Sequence, residues 1–280
     1  MKKILLIGRN GQVGWELQRS LAPFGEVIAL DRHALDLAKP DSIRDAIRSV
    51  QPNVIVNAAA YTAVDKAETE VELAMTINSV APGVMAEEAK KTGALLVHYS
   101  TDYVFDGSKP TPYLEDDLPN PLNAYGRSKL AGEQAIGSSG CRHLIFRTSW
   151  VYGLRGNNFL HTVLRLAKER DKLSMVADQT GAPTWSRMIA EATALALHGN
   201  TPTGLYHMTS DGQTSWHGFA KAILDAEDWT GRLTPIPAKD YPLPAQRPAN
   251  STLSNEKLAT VFGLALPEWR QALNLCLGEE

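Results

Sequence analysis

Five short runs in the first half of the chain are apolar almost without interruption: KILLIG (3–8), EVIALD (26–31), NVIVNAA (53–59), ALLVHYS (94–100) and HLIFRTSWVYG (143–153). A strand with one wet face alternates apolar and polar residues. A continuous apolar run buries both faces, which implies a parallel sheet covered by helices on each side. The helices come from the stretches between the runs. GQVGWELQRSLA, PDSIRDAIRSVQ, NSVAPGVMAEEAKKTG and NAYGRSKLAGEQAI all carry helical periodicity. Right-handed crossovers wind such units into a doubly wound α/β fold, with its ligand crevice outside the C-terminal ends of the strands.

Beyond about residue 150 the pattern changes. NNFLHTVLRLAKER, SRMIAEATALALHG and WHGFAKAILDAE read as amphipathic helices and GLYHMTS as a strand. LTPIPAKDYPLPAQRP is too rich in proline to be expected in regular structure. The division expected is a Rossmann domain over 1–150 and a smaller C-terminal substrate-binding lobe over 151–280, from which segments can return to the sheet.

At 280 residues and 44% hydrophobic, the chain has material for a large core with a smaller attached one. A net charge of −3 supplies no basic field for nucleic acid or anionic membrane, and neither is expected as a partner. Cys141 and Cys276 match no metal or redox spacing, which fits a reducing cytoplasm. The opening MKKILLIGRNG resembles a signal peptide only briefly. Its apolar run is far shorter than the roughly 7–15 residues of an h-region. No stretch approaches the roughly 20 apolar residues of a membrane span. A cytoplasmic protein is expected.

GRNGQVG places Gly8, Gly11 and Gly14 between the first strand and the first helix. Glycines let a backbone approach a pyrophosphate, and the free N–H groups of the helix start supply hydrogen bonds and the positive dipole end. Asp31 ends the second strand, 20 residues past Gly11, where an acid can hold the adenosine ribose hydroxyls of NADH. Arg32 beside it and Arg9 in the loop suit the 2′-phosphate of NADPH, so both dinucleotides stay open as cofactors. Asp36 and Leu37 fall where adenine would lie. LDLAKPDS is also an ordinary helix lead-in, with Asp41 or Ser42 as cap.

NAAAYTAVD ends the third strand with small residues, as suits a cofactor lying close over it, and VHYSTDYVFDG runs from the fourth strand into a hydroxyl-rich loop. Ser100, Thr101 and Asp102 are thereby placed at the crevice. Tyr125 and Lys129, four apart at the start of a helix, share one face. Taken alone the pair is an ordinary helix-surface feature. Joined to the glycine loop and the Ser-Thr loop, it fits carbonyl reduction. Tyr125 protonates the developing alkoxide, Lys129 lowers the phenol pKa from its usual value near 10, and Thr101 orients the ketone.

These motifs resemble the extended short-chain dehydrogenase/reductase family. GQVGWEL, NAAAYTAVDKAE, HYSTDYVFDG, NAYGRSKLAGE, RTSWVYG, GNNF, DQTGAPT, GLYH and RPANSTLS carry the resemblance over nearly the whole chain. Within the family it is greatest to members that reduce a dTDP-4-keto-6-deoxysugar. The resemblance implies hydride transfer from NADPH or NADH to C4 of dTDP-4-dehydro-β-L-rhamnose, giving dTDP-β-L-rhamnose. It also implies that Thr101, Tyr125 and Lys129 are catalytic, and that Gly11, Gln12, Val13, Asp31, Asp36, Leu37, Ala60, Tyr61, Thr62 and Tyr99 line the dinucleotide. Thr101, Asp102 and Trp150 would touch the deoxysugar, and Asn158, Gln179 and Arg247 the nucleotide part. For Asn158 a helix cap, and for Trp150 a core aromatic, are the plain structural alternatives.

Some relatives dimerise through Mg²⁺ held by acidic side chains. Glu16 and Glu191 occupy corresponding helices here, but Arg187 stands among them, so no metal is expected; the chain is expected as a monomer or homodimer. Two other readings share the fold. A nucleotide-sugar epimerase or 4,6-dehydratase is one, although a dehydratase needs an Asp-Glu after the threonine and this chain has Thr101-Asp102-Tyr103. The other is a non-catalytic subunit resembling the one that accompanies methionine adenosyltransferase; the intact Thr101/Tyr125/Lys129 set argues for chemistry.

Overall fold

The structure is a computed structural model that describes residues 1–199 and 202–278. Its elements run β1 (Lys3–Ile7), α1 (Gln12–Ser20), β2 (Glu26–Leu30), α2 (Pro40–Val50), β3 (Val54–Asn57), α3 (Val64–Ala67), α4 (Val71–Met75), α5 (Ala81–Thr92), β4 (Leu95–Thr101), α6 (Ala124–Ser139) and β5 (Arg142–Thr148). They continue with β6 (Val151–Tyr152), α7 (Phe159–Glu169), β7 (Lys172–Val176), β8 (Thr180–Gly181), β9 (Thr184–Trp185), α8 (Ser186–Ala196), β10 (Gly204–His207), β11 (Thr214–Ser215), α9 (Trp216–Ala226), β12 (Arg232–Ile236), α10 (Glu256–Phe262) and α11 (Trp269–Leu277).

Six parallel strands form the central sheet in the order β2-β1-β3-β4-β5-β10. The continuous apolar runs divide by the two-residue period of a strand. Ile4, Leu6, Val56 and Val97 face a core shared with Leu17 of α1 and Ile189 of α8. Leu5, Ile7, Ile55 and Leu96 face the other, with Ile43 and Ile47 of α2 and Met85 of α5. The sixth strand is contributed from beyond residue 150, by GLYH. A third core gathers Tyr152, Leu160, Trp185, Phe219, Ile223 and Trp269 under the C-terminal helices.

Three local expectations change. HLIFRTSWVYG is not one strand. Trp150 sits at φ 46° between β5 and β6, and its ring stacks on Trp216 at 3.5 Å and 4°, a contact that offsets the backbone cost of a left-handed aromatic residue. LTPIPAKDYPLPAQRP is not wholly irregular, because its start forms β12, parallel to β7. Pro235 is tolerated because among the described residues β12 pairs on one side only, as an edge strand. Neither Asp41 nor Ser42 caps α2. The cap is Lys39 without a side-chain bond, Pro40 opens the first turn, and the Ser42 hydroxyl accepts from the Asp36 N–H instead. No helix among the described residues is long and apolar enough to cross a membrane.

Candidate active site

The strand order reverses between β1 and β3, and outside their C-terminal ends opens a cleft of about 780 Å³. Gly8, Gly11, Gln12 and Val13 line it. Gly8 has φ +90°, and a Cβ there would come within 2.8 Å of the Ala59 nitrogen, closing the cradle. Gly14 is not on the cleft; a Cβ on it would run into the Gly8 carbonyl, so this glycine lets α1 close onto the loop. Gly11 caps α1 without a side-chain acceptor, which leaves first-turn amides to a ligand. A pyrophosphate fits this cradle.

Asp31, Arg32, Asp36 and Leu37 form the far end of the cleft. Asp31 Oδ1 accepts from the His33 and Ala34 amides at 3.0 and 3.3 Å, and Asn10 Nδ2 donates to Oδ2 at 3.4 Å. The Ala34 amide first, then these other donors, hold its carboxyl below the usual range against partial desolvation. Arg9 turns to the Ala29 carbonyl and is not on the cleft.

The opposite wall carries Ala60, Tyr61, Thr62, Tyr99, Tyr125 and Lys129. The Tyr61 backbone is clamped at both polar atoms by Asn78, whose Oδ1 accepts at 2.8 Å and whose Nδ2 donates at 3.0 Å. Asn78 lies in a π-helical turn (Thr76–Val80), a local widening of the helix that recurs at functional sites. Its Nδ2 also donates to Ser128 of α6 at 3.0 Å, and the Ser128 hydroxyl donates to the Tyr125 carbonyl at 2.7 Å. One amide thus ties the Tyr61 loop to the helix that carries Tyr125. The start of α6 is fixed by Asn123, whose Oδ1 accepts from the Gly126 amide at 2.8 Å.

Thr101 and Asp102 are buried, 5% and 2% exposed, and reach the cleft through Tyr125, whose hydroxyl is hydrogen-bonded to Thr101. Thr101 Oγ1 donates to Asp102 Oδ1 at 3.0 Å. Burial pushes the Asp102 carboxyl up to about 7. The expected lowering of the Tyr125 phenol does not occur. Desolvation pushes it up to about 12; the Thr101 bond opposes that, and Asp102 adds to it. Lys129, 1% exposed, spends its bonds elsewhere: Nζ donates to the Tyr99 carbonyl and lies 3.2 Å from His98 Nε2. Burial pushes it down to about 8, with Glu133 opposing.

Of the residues assigned to the nucleotide end of the substrate, Asn158 and Arg247 also make contacts that hold the fold together. Asn158 caps α7, accepting from the His161 amide, while its Nδ2 donates to Gln12 Oε1 at 2.9 Å. Arg247 makes a two-point ion pair with Asp65, Nη1–Oδ1 2.9 Å and Nη2–Oδ2 2.7 Å. Trp150 belongs to the Trp216 stack, and neither it nor half-buried Gln179 lines the cleft. Arg187 is ion-paired with Glu191 at 3.4 Å.

Over residues 1–280 the sequence matches the family described as the RmlD substrate binding domain. The chain belongs to the RmlD family. It is 53% identical to the dTDP-4-dehydrorhamnose reductase of Burkholderia thailandensis, covering 98% of each chain, and 49% identical to that of Salmonella typhimurium, covering 99% of this chain and 97% of the other. Among solved structures, the dTDP-4-dehydrorhamnose reductase of Bacillus anthracis, in complex with NADP, superposes with a TM-score of 0.96 at 36% identity over the whole of both chains. Within the cleft of this RmlD-family chain lie residues that sequence reasoning passed over. Asn10, Leu35, Lys66, Glu70, Ile77, Val151, Gly156 and Asn157 all line it. Gly156 and Asn157 come from the loop that Asn158 fastens to Gln12. GNNF was the available signal, but its contact with the glycine loop joins positions 146 residues apart.

Proposed function

We propose that the protein is an NAD(P)H-dependent reductase converting dTDP-4-dehydro-β-L-rhamnose to dTDP-β-L-rhamnose. The observation that carries this reading is the convergence of Tyr125 and Lys129 on the same cleft as the glycine cradle, in a chain that is full-length kin to such reductases. Gly8, Gly11, Gln12 and Val13 would hold the pyrophosphate, Asp31 or Arg32 the adenosine ribose end, and Asp36 and Leu37 the adenine. When bound, the dinucleotide supplies the hydride that reduces C4.

The protein's part is the proton and the geometry. A phenol held near 12 is fully protonated at neutral pH, the form needed to donate to the C4 oxygen. Thr101 is hydrogen-bonded to that hydroxyl and to Asp102, which places it to orient the ketone beside Tyr125. Lys129 presents an amine to the cleft from a site closed to solvent. Trp150, Gln179 and Arg247 serve the sugar nucleotide from the C-terminal half, with Arg247 bracing Asp65 beside the Tyr61 loop.

The test is oxidation of NADPH and of NADH by the purified protein with the 4-keto sugar generated in place, and identification of the product. Sugar-dependent oxidation giving dTDP-L-rhamnose is expected. Binding of either dinucleotide without any oxidation would sink the assignment.

A further inference from the structure

Helix α6 carries Tyr125 as its second residue, yet its first turn holds no acidic side chain to meet the free amides there. The local sequence has no place for one. Ala124 is buried in contact with Ala67 and Ala74, with Tyr61 and Tyr125 packed against them. Tyr125 is committed to the cleft. At Gly126 a Cβ would come within 2.2 Å of the Tyr103 carbonyl oxygen, because the helix start presses on the turn Asp102–Val104 that follows Thr101.

The acid comes from outside the helix. Glu68, the residue that closes α3, accepts from the Ala124 N–H at 2.7 Å through Oε1, across 56 positions of sequence. Its Oε2 lies 3.9 Å from Nη2 of Arg127, on the same turn of α6. The carboxylate thus meets the turn that bears Tyr125 at two points, with its charge at the positive end of the helix. Asp65, three residues earlier, holds the other neighbour of that turn. Its Oδ1 accepts from the Ala245 N–H at 3.1 Å, and its two oxygens pair with Arg247. Between those positions the Gln246 carbonyl accepts from Asn123 Nδ2 at 2.8 Å. Helix α3, the start of α6 and segment 245–247 close into one ring of hydrogen bonds, beside cleft-lining Thr62, Ala63 and Lys66.

We propose that Glu68 is a positioning residue of the active site: from α3 it fixes the first turn of α6, and so the place of the Tyr125 hydroxyl beside Thr101. This rests on the reductase reading of the same cleft. The stretch AVDKAE then has a physical meaning residue by residue. Asp65 holds the C-terminal segment, Lys66 faces the cleft, Ala67 makes the close contact with Ala124, and Glu68 holds the helix of the acid. A bond that served the fold alone would, when broken, lower the melting temperature and leave Tyr125 of the folded protein where it was.

The first measurement needs no substrate. In protein labelled with ¹³Cζ-tyrosine, the Tyr125 signal is identified by its loss in Tyr125→Phe. It is expected to shift in Glu68→Ala and to return in Glu68→Gln, whose amide oxygen keeps an acceptor for the Ala124 N–H. A signal unmoved in Glu68→Ala overturns the proposal, and so does one that Glu68→Gln fails to restore. Should Glu68→Ala not fold, Glu68→Asp, shorter by one methylene, is read in its place by the same criteria. The second measurement is steady-state turnover. In Glu68→Ala kcat is expected to fall about tenfold or more, since a misplacement of about 1 Å can cost about 10²-fold. KM for the dinucleotide should hold, and Glu68→Gln should regain most of kcat. A kcat equal to wild type also overturns the proposal. If Tyr125 moves as expected but the wild type itself reduces no 4-keto sugar, the reductase reading fails and the positioning by Glu68 stands.

Discussion

The flank where α2 packs on α5 and the mouth of the sheet handle buried polar groups in opposite ways. On the flank, Glu88 is 1% exposed and every oxygen is used. Arg48 donates to Oε2 and Oε1 at 2.8 and 2.9 Å, Lys91 to Oε1 at 2.8 Å, and Thr92 to the backbone carbonyl at 2.9 Å. At the mouth, Ser100 Oγ, Asp102 Oδ2 and Thr148 Oγ1 are buried with no hydrogen-bond partner in the protein, and so are Arg147 Nη1 and His207 Nε2 close by. Buried polar groups are normally satisfied, and an uncompensated one costs about 1–3 kcal/mol. The fold tolerates that cost beside the cleft and avoids it on the flank. Ser100 and Thr148 line the cleft itself, so these two unmatched hydroxyls sit where a ligand would meet them.

Two substitutions should separate the regions. Tyr125→Phe removes the proton donor and keeps the ring against Tyr103, 6.0 Å away edge-on. Turnover is expected to fall by about 10²–10⁴, with dinucleotide binding and the melting temperature close to wild type. Near-normal turnover would dismiss Tyr125 as the acid. Glu88→Gln is expected to do the reverse, costing about 2 kcal/mol through its charge-assisted bonds while kcat stays put. Urea unfolding and steady-state rates on the two proteins test the pair. If both variants lost stability equally, the contrast between mouth and flank would be wrong.

The difference also explains what the sequence made legible. Strand runs and helix periodicity are local, and they specify the sheet because a doubly buried strand has few other ways to be satisfied. Tyr125 and Lys129 were visible for the same reason, being one helical turn apart. Their electrostatics were not. The phenol is raised and Lys129 is turned to Tyr99 and His98 because of burial and of strands that meet in register, which spacing along the chain does not encode. Arg247 was legible as a cation suited to a diphosphate, but its ion pair with Asp65, 182 positions away, was not. The turn at Trp150 needed Trp216 to stack on. The π-helical turn that aims Asn78 left no composition signal at all.

The smallest and most diagnostic effect is in the pH dependence of stability, where the two carboxyls should act with opposite sign. Glu88 falls from an ordinary 4.5 to about 2 in the folded protein, because the hydrogen bonds from Arg48 and then Lys91 favour its charge. Its stabilisation is complete above 4.5 and is lost as pH drops toward 2. Asp102 rises from 3.8 to about 7 by burial. Below 3.8 both the folded and unfolded carboxyls are protonated and nothing is lost. Between 3.8 and about 7 the unfolded chain releases a proton that the folded protein keeps, so stability declines as pH rises, and above about 7 the penalty is fully developed. Asp102→Asn removes that titration without changing the shape of the side chain. Its stability relative to wild type should therefore climb steadily from pH 4 to pH 7 and then level off, whereas the deficit of Glu88→Gln should shrink only on the acid side. Urea midpoints across that range decide it. Parallel curves for Asp102→Asn and wild type would mean that the carboxyl is solvated or paired in the folded protein, and that the mouth of the sheet is no less satisfied than its flank.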